Sequence, residues 1–212
     1  MSQIQILKEA CVETVEEAVL AANKGAHQLE LCSNLSEDGL TPDDHLILET
    51  IKSVKIPVKV MIRPRAGSFT YTKEEVDQMI ADIQRLKAYK IEGFVFGAVI
   101  HDQHETKLDI ATIYQLCKAA FPVPVTIHKA IDSCTHLNDE VKKLMIISNV
   151  KFILTSGGAA TAVDGITSLK SMQSTAGSYI KIIAAGKVTP ENLPYLIEKT
   201  GLQYFHGRKI LG

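Results

Sequence analysis

The stretch IQILKEACVETVEEAVLAANKGAHQLELC, residues 4–32, decides the fold of this chain. A short apolar run, Ile4–Glu9, is followed by a segment with the period of an α-helix, Val15–Lys24, and then by a second short run, Gln28–Cys32. Short runs of this kind predict strands, and a strand, a helix and a strand in this order form a βαβ unit. The unit predicts two parallel strands joined by a crossover helix.

The same alternation continues along the whole chain. The predicted strands are Ile4–Glu9, Gln28–Cys32, Val58–Arg63, Gly93–Val99, Val125–Lys129, Phe152–Ser156, Ile180–Ala184 and Tyr204–His206. The predicted helices are Val15–Lys24, Asp43–Val54, Glu74–Lys90, Ile110–Ala119, Leu137–Ser148, Val163–Ser174 and Glu191–Thr200. Eight strands and seven helices in this order favour an α/β protein with a (β/α)₈ TIM barrel and a short or incomplete final helix. A doubly wound sheet of about five to seven strands is the alternative.

Composition limits the class of protein. With 212 residues, 46% of them hydrophobic and 22% charged, we expect one folded domain over residues 1–212. A net charge of −1 argues against nucleic acid or an anionic membrane as partner. Four scattered cysteines without a CxxC pair, and no apolar run near about 18 residues, predict a reduced, cytoplasmic protein with no membrane span.

Polar residues lie near the C-terminal ends of several apolar strands. They are Glu9, Glu30, Arg63, His128, Thr155 and His206. Because side chains alternate along a strand, Glu9 and Cys11 share one face, and so do Glu30 and Cys32. If these faces point into the barrel, the groups converge at its C-terminal mouth, where TIM barrels place their sites. The alternative is a salt-bridge layer that plugs the barrel.

The stretch MIRPRAGSFTYT, residues 61–72, places two guanidinium groups around a proline turn. Arg63 and Arg65 offer planar donors that suit a carboxylate or a phosphate. The alternative is a loop clamp in which they pair with Glu9 and Glu30. Both interpretations stay open at the level of sequence.

Small residues follow the sixth and seventh predicted strands. Thr155, Ser156 and Gly157 come after one, and Gly186 comes after the other. Small side chains let backbone amides approach an anion, so these four residues and His206 are candidate substrate ligands. Glycines also serve ordinary tight turns.

Cys11 and Cys32 each follow a strand-end glutamate by two residues. On adjacent barrel strands the two thiols would lie close together. Two soft sulfur ligands suit Cu(I), with Met61, His128 or His206 as possible further ligands. Buried single cysteines are more often small hydrophobic residues, and this alternative also stays open.

The chain resembles the CutC family of copper-homeostasis proteins along nearly its whole length. The resemblance rests on KEACVETVEEAVLAANKGAHQLELCSNLSEDGLTP, VMIRPRAGSFTYTKEEVDQM, TIHKAID, KFILTSGG and QYFHG. It implies a TIM barrel, a cytoplasmic location, a homo-oligomer and copper handling through Cys11 and Cys32. The positions it singles out are Glu9, Cys11, Glu30, Cys32, Arg63, Arg65, His128, Asp132, Thr155, Ser156 and His206. This chain departs from the family pattern at Lys129, where HRAFD is usual, and at Lys187, where a second glycine is usual.

Three functional hypotheses follow. The first is a cytosolic copper-homeostasis protein that binds Cu(I) through the two cysteines and assembles as a dimer or tetramer. The second is an enzyme for a small anionic metabolite, oriented by Arg63 and Arg65, with His128 moving a proton and Glu9 or Glu30 acting as base or orienter. Asp132 completes the candidate catalytic set. The third is a non-catalytic oligomeric scaffold.

Overall fold

The computed structural model describes residues 5–102 and 104–212. The strands are β1 (Leu7–Val12), β2 (Gln28–Leu31), β3 (Val58–Met61), β4 (Gly93–Phe96), β5 (Val99–Asp102), β6 (Glu105–Leu108), β7 (Val125–Ile127), β8 (Val150–Thr155), β9 (Lys181–Ala184) and β10 (Tyr204–Gly207). Eight of them close a parallel barrel in the order β1-β2-β3-β4-β7-β8-β9-β10, with β10 returning to β1. The predicted TIM barrel is confirmed.

In the described part of the chain, seven helices form the outer layer around the barrel. They are α1 (Val15–Asn23), α2 (Asp44–Ser53), α3 (Lys73–Leu86), α4 (Ile110–Ala120), α5 (Leu137–Leu144), α6 (Ile166–Ala176) and α7 (Leu193–Thr200). Short 3₁₀ turns lie at Leu35–Glu37 and Lys129–Ser133. Residues 208–211 form only a turn after β10, so the final helix is incomplete, as expected. None of the helices in that part is long and apolar enough to span a membrane.

The alternation of side chains along the strands divides the apolar residues into two sets. Outward-facing residues such as Leu29, Phe94 and Phe205 are fully buried in one large cluster beneath the helices. Two smaller clusters are separate from it, one around Cys32 and Met61 with Val95, and another formed by Leu154, Ile183 and Ala185. Because the helices cover the outside of the barrel, the polar residues of the strands are left facing its interior.

The predicted boundaries differ from the observed ones mainly at β1 and at helix ends, where α3 stops at Leu86 instead of Lys90 and α5 at Leu144 instead of Ser148. The strand predicted from Ile4 begins at Leu7 and continues to Val12, and Ile4 itself lies outside the described residues. Thr72 caps α3 in a full capping box, as its spacing to Glu75 indicates.

One pair of strands has no counterpart among the predicted elements. β5 and β6 pair in antiparallel fashion and form a two-stranded sheet apart from the barrel. Their sequence is polar and partly exposed, so it lacks the apolar pattern that marks the barrel strands.

Candidate functional site

A cavity of about 530 Å³ opens at the C-terminal ends of the barrel strands. Seven of the candidate site residues named from the sequence line it, namely Cys11, Glu30, Cys32, Met61, His128, Gly186 and His206. They come from β1, β2, β3, β7, β9 and β10 or from the residues just beyond these strands. The polar groups of distant segments therefore meet at one mouth, which is where TIM barrels carry their sites.

The two thiols of the mouth lie side by side. Cys11 Sγ and Cys32 Sγ are 3.9 Å apart, and both cysteines are free. Met61 and Val95 pack with Cys32 in one apolar cluster, against which Cys11 also lies. The hydrogen bond with Cys32, aided by nearby His206, lowers the pKa of Cys11 to about 5. The same contact with Cys11, together with burial, raises the pKa of Cys32 well above its usual range.

Beneath the cavity lies a layer of charged and polar groups, Glu9, Gln28, Lys59 and His206, which we call the charged layer. Glu9 accepts hydrogen bonds from Gln28 Nε2 at 2.7 Å and from His206 Nδ1 at 2.9 Å. Lys59 Nζ forms a salt bridge of 2.8 Å with the same carboxylate. Burial raises the pKa of Glu9, but Lys59 and then His206 outweigh it and the pKa falls to about 2. Both oxygens of the Glu9 carboxylate therefore have partners.

His206 joins the charged layer to the cavity. Its Nε2 lies 3.3 Å from Glu30 Oε2, while its Nδ1 donates to Glu9. Burial opposes protonation of the ring, but Glu30, Cys11 and Glu9 together raise the pKa of His206 well above its usual range. Burial also raises the pKa of Glu30 to about 8, despite the opposite effect of His206.

Cys11, Glu30 and His206 each offer one ligand atom, and these three atoms lie within 4.8 Å of one another, close enough to hold a metal ion. Both ring nitrogens of His206, however, already face carboxylates. A ring that donates from both nitrogens has no lone pair to offer a metal. The two sulfur atoms are therefore the better candidate ligands.

His128 presents a neutral imidazole to the cavity wall. Its Nδ1 accepts a hydrogen bond of 3.1 Å from the Ala130 N–H, so its proton lies on Nε2. Burial and the charge of Arg63 lower the pKa of His128 to about 3. A Cβ at Gly97 would stand 2.8 Å from Nδ1, so the glycine leaves room for the ring. The ring therefore serves better as a hydrogen-bond donor than as a base.

Arg63 and Arg65 do not line the cavity. Arg63 donates to the carbonyls of Glu37 at 2.7 Å and Gly67 at 2.9 Å, and so ties the loop after β2 to the loop after β3. Arg65 pairs with Glu75 at 2.5 Å. The two arginines are loop clamps, but the alternative in which they pair with Glu9 and Glu30 is wrong, because those carboxylates face Lys59 and His206. A role in orienting an anion stays a prediction.

Asp132 organises the loop after β8. Its carboxylate accepts hydrogen bonds from the Thr155 hydroxyl, from the Ser156 hydroxyl at 2.9 Å and from the Gly158 N–H at 2.9 Å. The Gly157 N–H donates to Thr155 Oγ1 at 2.8 Å. Asp132, Thr155, Ser156 and Gly157 thus form a frame behind the residues that line the cavity, and their catalytic and binding roles stay predictions.

Lys59, which is 4% exposed and belongs to the charged layer, was not among the predicted site residues. The signal was present, since Lys59 lies two residues before Met61 and therefore on the same face of β3. Lys129, Lys187 and Arg208 were not predicted as cavity residues either. These follow the strand ends in loops, where the period of a strand no longer predicts direction.

Comparison with known proteins agrees with this architecture. The profile of the CutC family matches residues 6–211. The human copper homeostasis protein cutC homolog is 39% identical over 202 residues, which are 94% of this chain and 72% of the human protein. The family protein CutC of Pasteurella multocida is 35% identical over 198 residues, 93% of this chain and 80% of that protein.

Solved structures give the same result. A Streptococcus agalactiae structure assigned to copper homeostasis protein CutC aligns with a TM-score of 0.90 at 29% identity, over 97% of this chain and 100% of that one. An aldolase, QR15, aligns with a TM-score of 0.65 at 13% identity, over 100% of this chain and 94% of that one, and shows the shared fold alone. This chain belongs to the CutC family.

Proposed function

We propose that this chain binds one Cu(I) ion through Cys11 and Cys32. The observation that carries the proposal is the distance of 3.9 Å between their Sγ atoms in a cavity open to the solvent. Metal–thiolate bonds of about 2.3 Å place two sulfur ligands of one ion at most about 4.6 Å apart. The observed separation of 3.9 Å is suited to a bent S–Cu–S arrangement.

The surroundings of the thiols fit a soft cation. The thioether residue Met61 belongs to the apolar cluster of Cys32, and thiolates and thioethers select Cu(I) over harder ions. The pKa of Cys11 is lowered to about 5, so one ligand is already a thiolate at neutral pH. The second thiol then loses its proton when the metal binds.

The test is an anaerobic titration with Cu(I) in competition with a chromophoric chelator. The unaltered chain is expected to bind one ion, and Cys11→Ser/Cys32→Ser to lose at least about 10–100-fold in affinity. Mutation of residues that only orient the ligands of a metal already costs that much. Cys117→Ser/Cys134→Ser is the matched control, since it removes two thiols that line no part of the cavity. Unchanged affinity in the first variant, or an equal loss in the control, contradicts the proposal.

We further propose that the protein works in the cytoplasm as a dimer or tetramer. All four cysteines carry free thiols, which agrees with a reducing compartment. Exposed apolar side chains such as Ile146, 83% exposed, supply surface that a subunit interface would cover. Copper binding by the thiol pair depends on neither expectation.

A further inference from the structure

The cavity is much larger than two thiolates and one copper ion require. Its volume of about 530 Å³ falls within the range of about 300–1,000 Å³ typical of small-molecule sites. We propose that it also binds a small hydroxylated organic anion, a sugar phosphate or a sugar acid, whose anionic group lies at Lys187 and Lys129 and whose hydroxyl groups meet His128 and Glu30. This inference does not depend on copper.

Among the described residues, the lip of the cavity carries three cations, Lys129, Lys187 and Arg208, and Lys187 has no carboxylate partner. Arg208 pairs with Glu13 at 2.8 Å, and Lys129 Nζ lies 3.3 Å from Asp132 Oδ2. Lys187 is exposed, lines the cavity, and has no carboxylate at ion-pair distance among residues 5–102 and 104–212. A free ammonium beside a partly neutralised one attracts an anion into the mouth.

The backbone at Lys187 is fixed in an uncommon conformation. Lys187 has φ of 55°, in the left-handed region that favours glycine. Its carbonyl accepts a hydrogen bond of 2.8 Å from Asn192 Nδ2, which fixes the turn. Gly186, at φ of 100°, passes so close to Ser156 that a Cβ would lie 3.1 Å from that side chain. Strain of this kind is commonly kept at ligand sites.

The wall of the cavity holds two polar atoms that need a partner. His128 Nε2 and Glu30 Oε1 are buried and have no hydrogen-bond partner in the described part of the chain, although both residues line the cavity. Buried unpaired polar atoms are rare and usually mark a missing water or ligand. A hydroxyl group both donates and accepts, so it can pair with either atom.

Glu30 has room for one further hydrogen bond. His206 Nε2 lies 3.3 Å from Glu30 Oε2, and Oε1 is left without a partner among the described residues. A ligand hydroxyl can pair with this free oxygen. The ligand that fits is therefore anionic at the end near Lys187 and hydroxylated at the other.

The test is calorimetric titration of the metal-free chain with glucose 6-phosphate, gluconate, glucose and inorganic phosphate. Binding of glucose 6-phosphate or gluconate is expected, and the comparison between the two distinguishes a phosphate from a carboxylate. Glucose and inorganic phosphate are expected to bind at least about tenfold more weakly, because each lacks one set of contacts.

Three variants complete the experiment. Lys187→Gly suits the left-handed backbone and is expected to weaken binding of the sugar anion about tenfold, whereas Lys187→Arg keeps it. His128→Asn keeps an acceptor for the Ala130 N–H and is expected to weaken the sugar anion but not inorganic phosphate. The proposal is overturned if neither sugar anion binds, if glucose or phosphate binds as well as they do, or if Lys187→Gly changes nothing.

Discussion

Glu9 and Glu30 occupy adjacent strands and follow the same sequence pattern, but the structure gives them opposite environments. Glu9 lies in the charged layer with Lys59, His206 and Gln28 as partners. Glu30 lines the cavity, shares one oxygen with His206 and leaves the other unpaired. Both oxygens of Glu9 have partners, whereas Glu30 keeps unused hydrogen-bonding capacity. A fully paired carboxylate stabilises the barrel, and an unpaired oxygen is available to a ligand.

The difference between the two acids arises from depth in the barrel. In the register of the strands Glu9 stands opposite Gln28 and His206, while Glu30 stands opposite Cys11. Glu30 is therefore about one inward-facing position, or roughly 7 Å, closer to the mouth than Glu9. That step leaves Glu30 between Cys11 and Lys59 in the register, with the Lys59 ammonium paired to Glu9 and one Glu30 oxygen without a partner among the described residues.

The largest expected effect comes from breaking the charged layer. Glu9→Gln leaves the buried ammonium of Lys59 without its counter-ion, and loss of one partner of a buried pair costs about 3–5 kcal/mol. We expect the free energy of unfolding, measured with urea, to fall by that amount. Glu9→Gln/Lys59→Met removes both charges and is expected to recover part of the loss. A loss below about 1 kcal/mol in the single variant would show that the layer is not structural.

The two buried histidines sharpen the same contrast. His206 is held in its charged form between carboxylates, whereas burial and Arg63 lower the pKa of His128 from its ordinary 6.5 to about 3. Between about pH 3 and pH 6.5, His128 carries a proton in the unfolded chain but not in the folded chain. Stability supplied by this group is complete above about pH 6.5 and falls by about 1.4 kcal/mol per pH unit below it.

The check is urea unfolding at several pH values between 4 and 6.5, the ordinary pKa of histidine. His128→Asn removes the titrating group while keeping an acceptor for the Ala130 N–H. We expect its stability to depend less steeply on pH than that of the unaltered chain. Parallel curves for the two proteins would mean that His128 is protonated in the folded state.

Sequence periodicity predicted the barrel and the meeting of Cys11, Glu30 and His206 at its mouth, because a period of two fixes the face of every strand residue. It could not predict the arginine contacts. Arg63 lies beyond the end of β3, and its long side chain reaches the Glu37 carbonyl in another loop. It also gave no sign of the hairpin of β5 and β6, whose polar strands lie apart from the barrel. Loops follow local hydrogen bonding rather than a repeating pattern.

The smallest expected effect is that of Glu30→Gln. The amide keeps an oxygen that can accept from His206 Nε2, and Glu30 has no other hydrogen bond or salt bridge among the described residues to lose. Burial raises the pKa of Glu30 to about 8, which shows that a charge is unfavourable at this position, so a neutral amide there is expected to cost little. We expect urea unfolding at pH 7 to show a change below about 1 kcal/mol, against the several lost in Glu9→Gln. Equal losses in the two variants would contradict the distinction between a fully paired Glu9 and a partly unpaired Glu30. Glu30 would then contribute as much to the stability of the fold as Glu9.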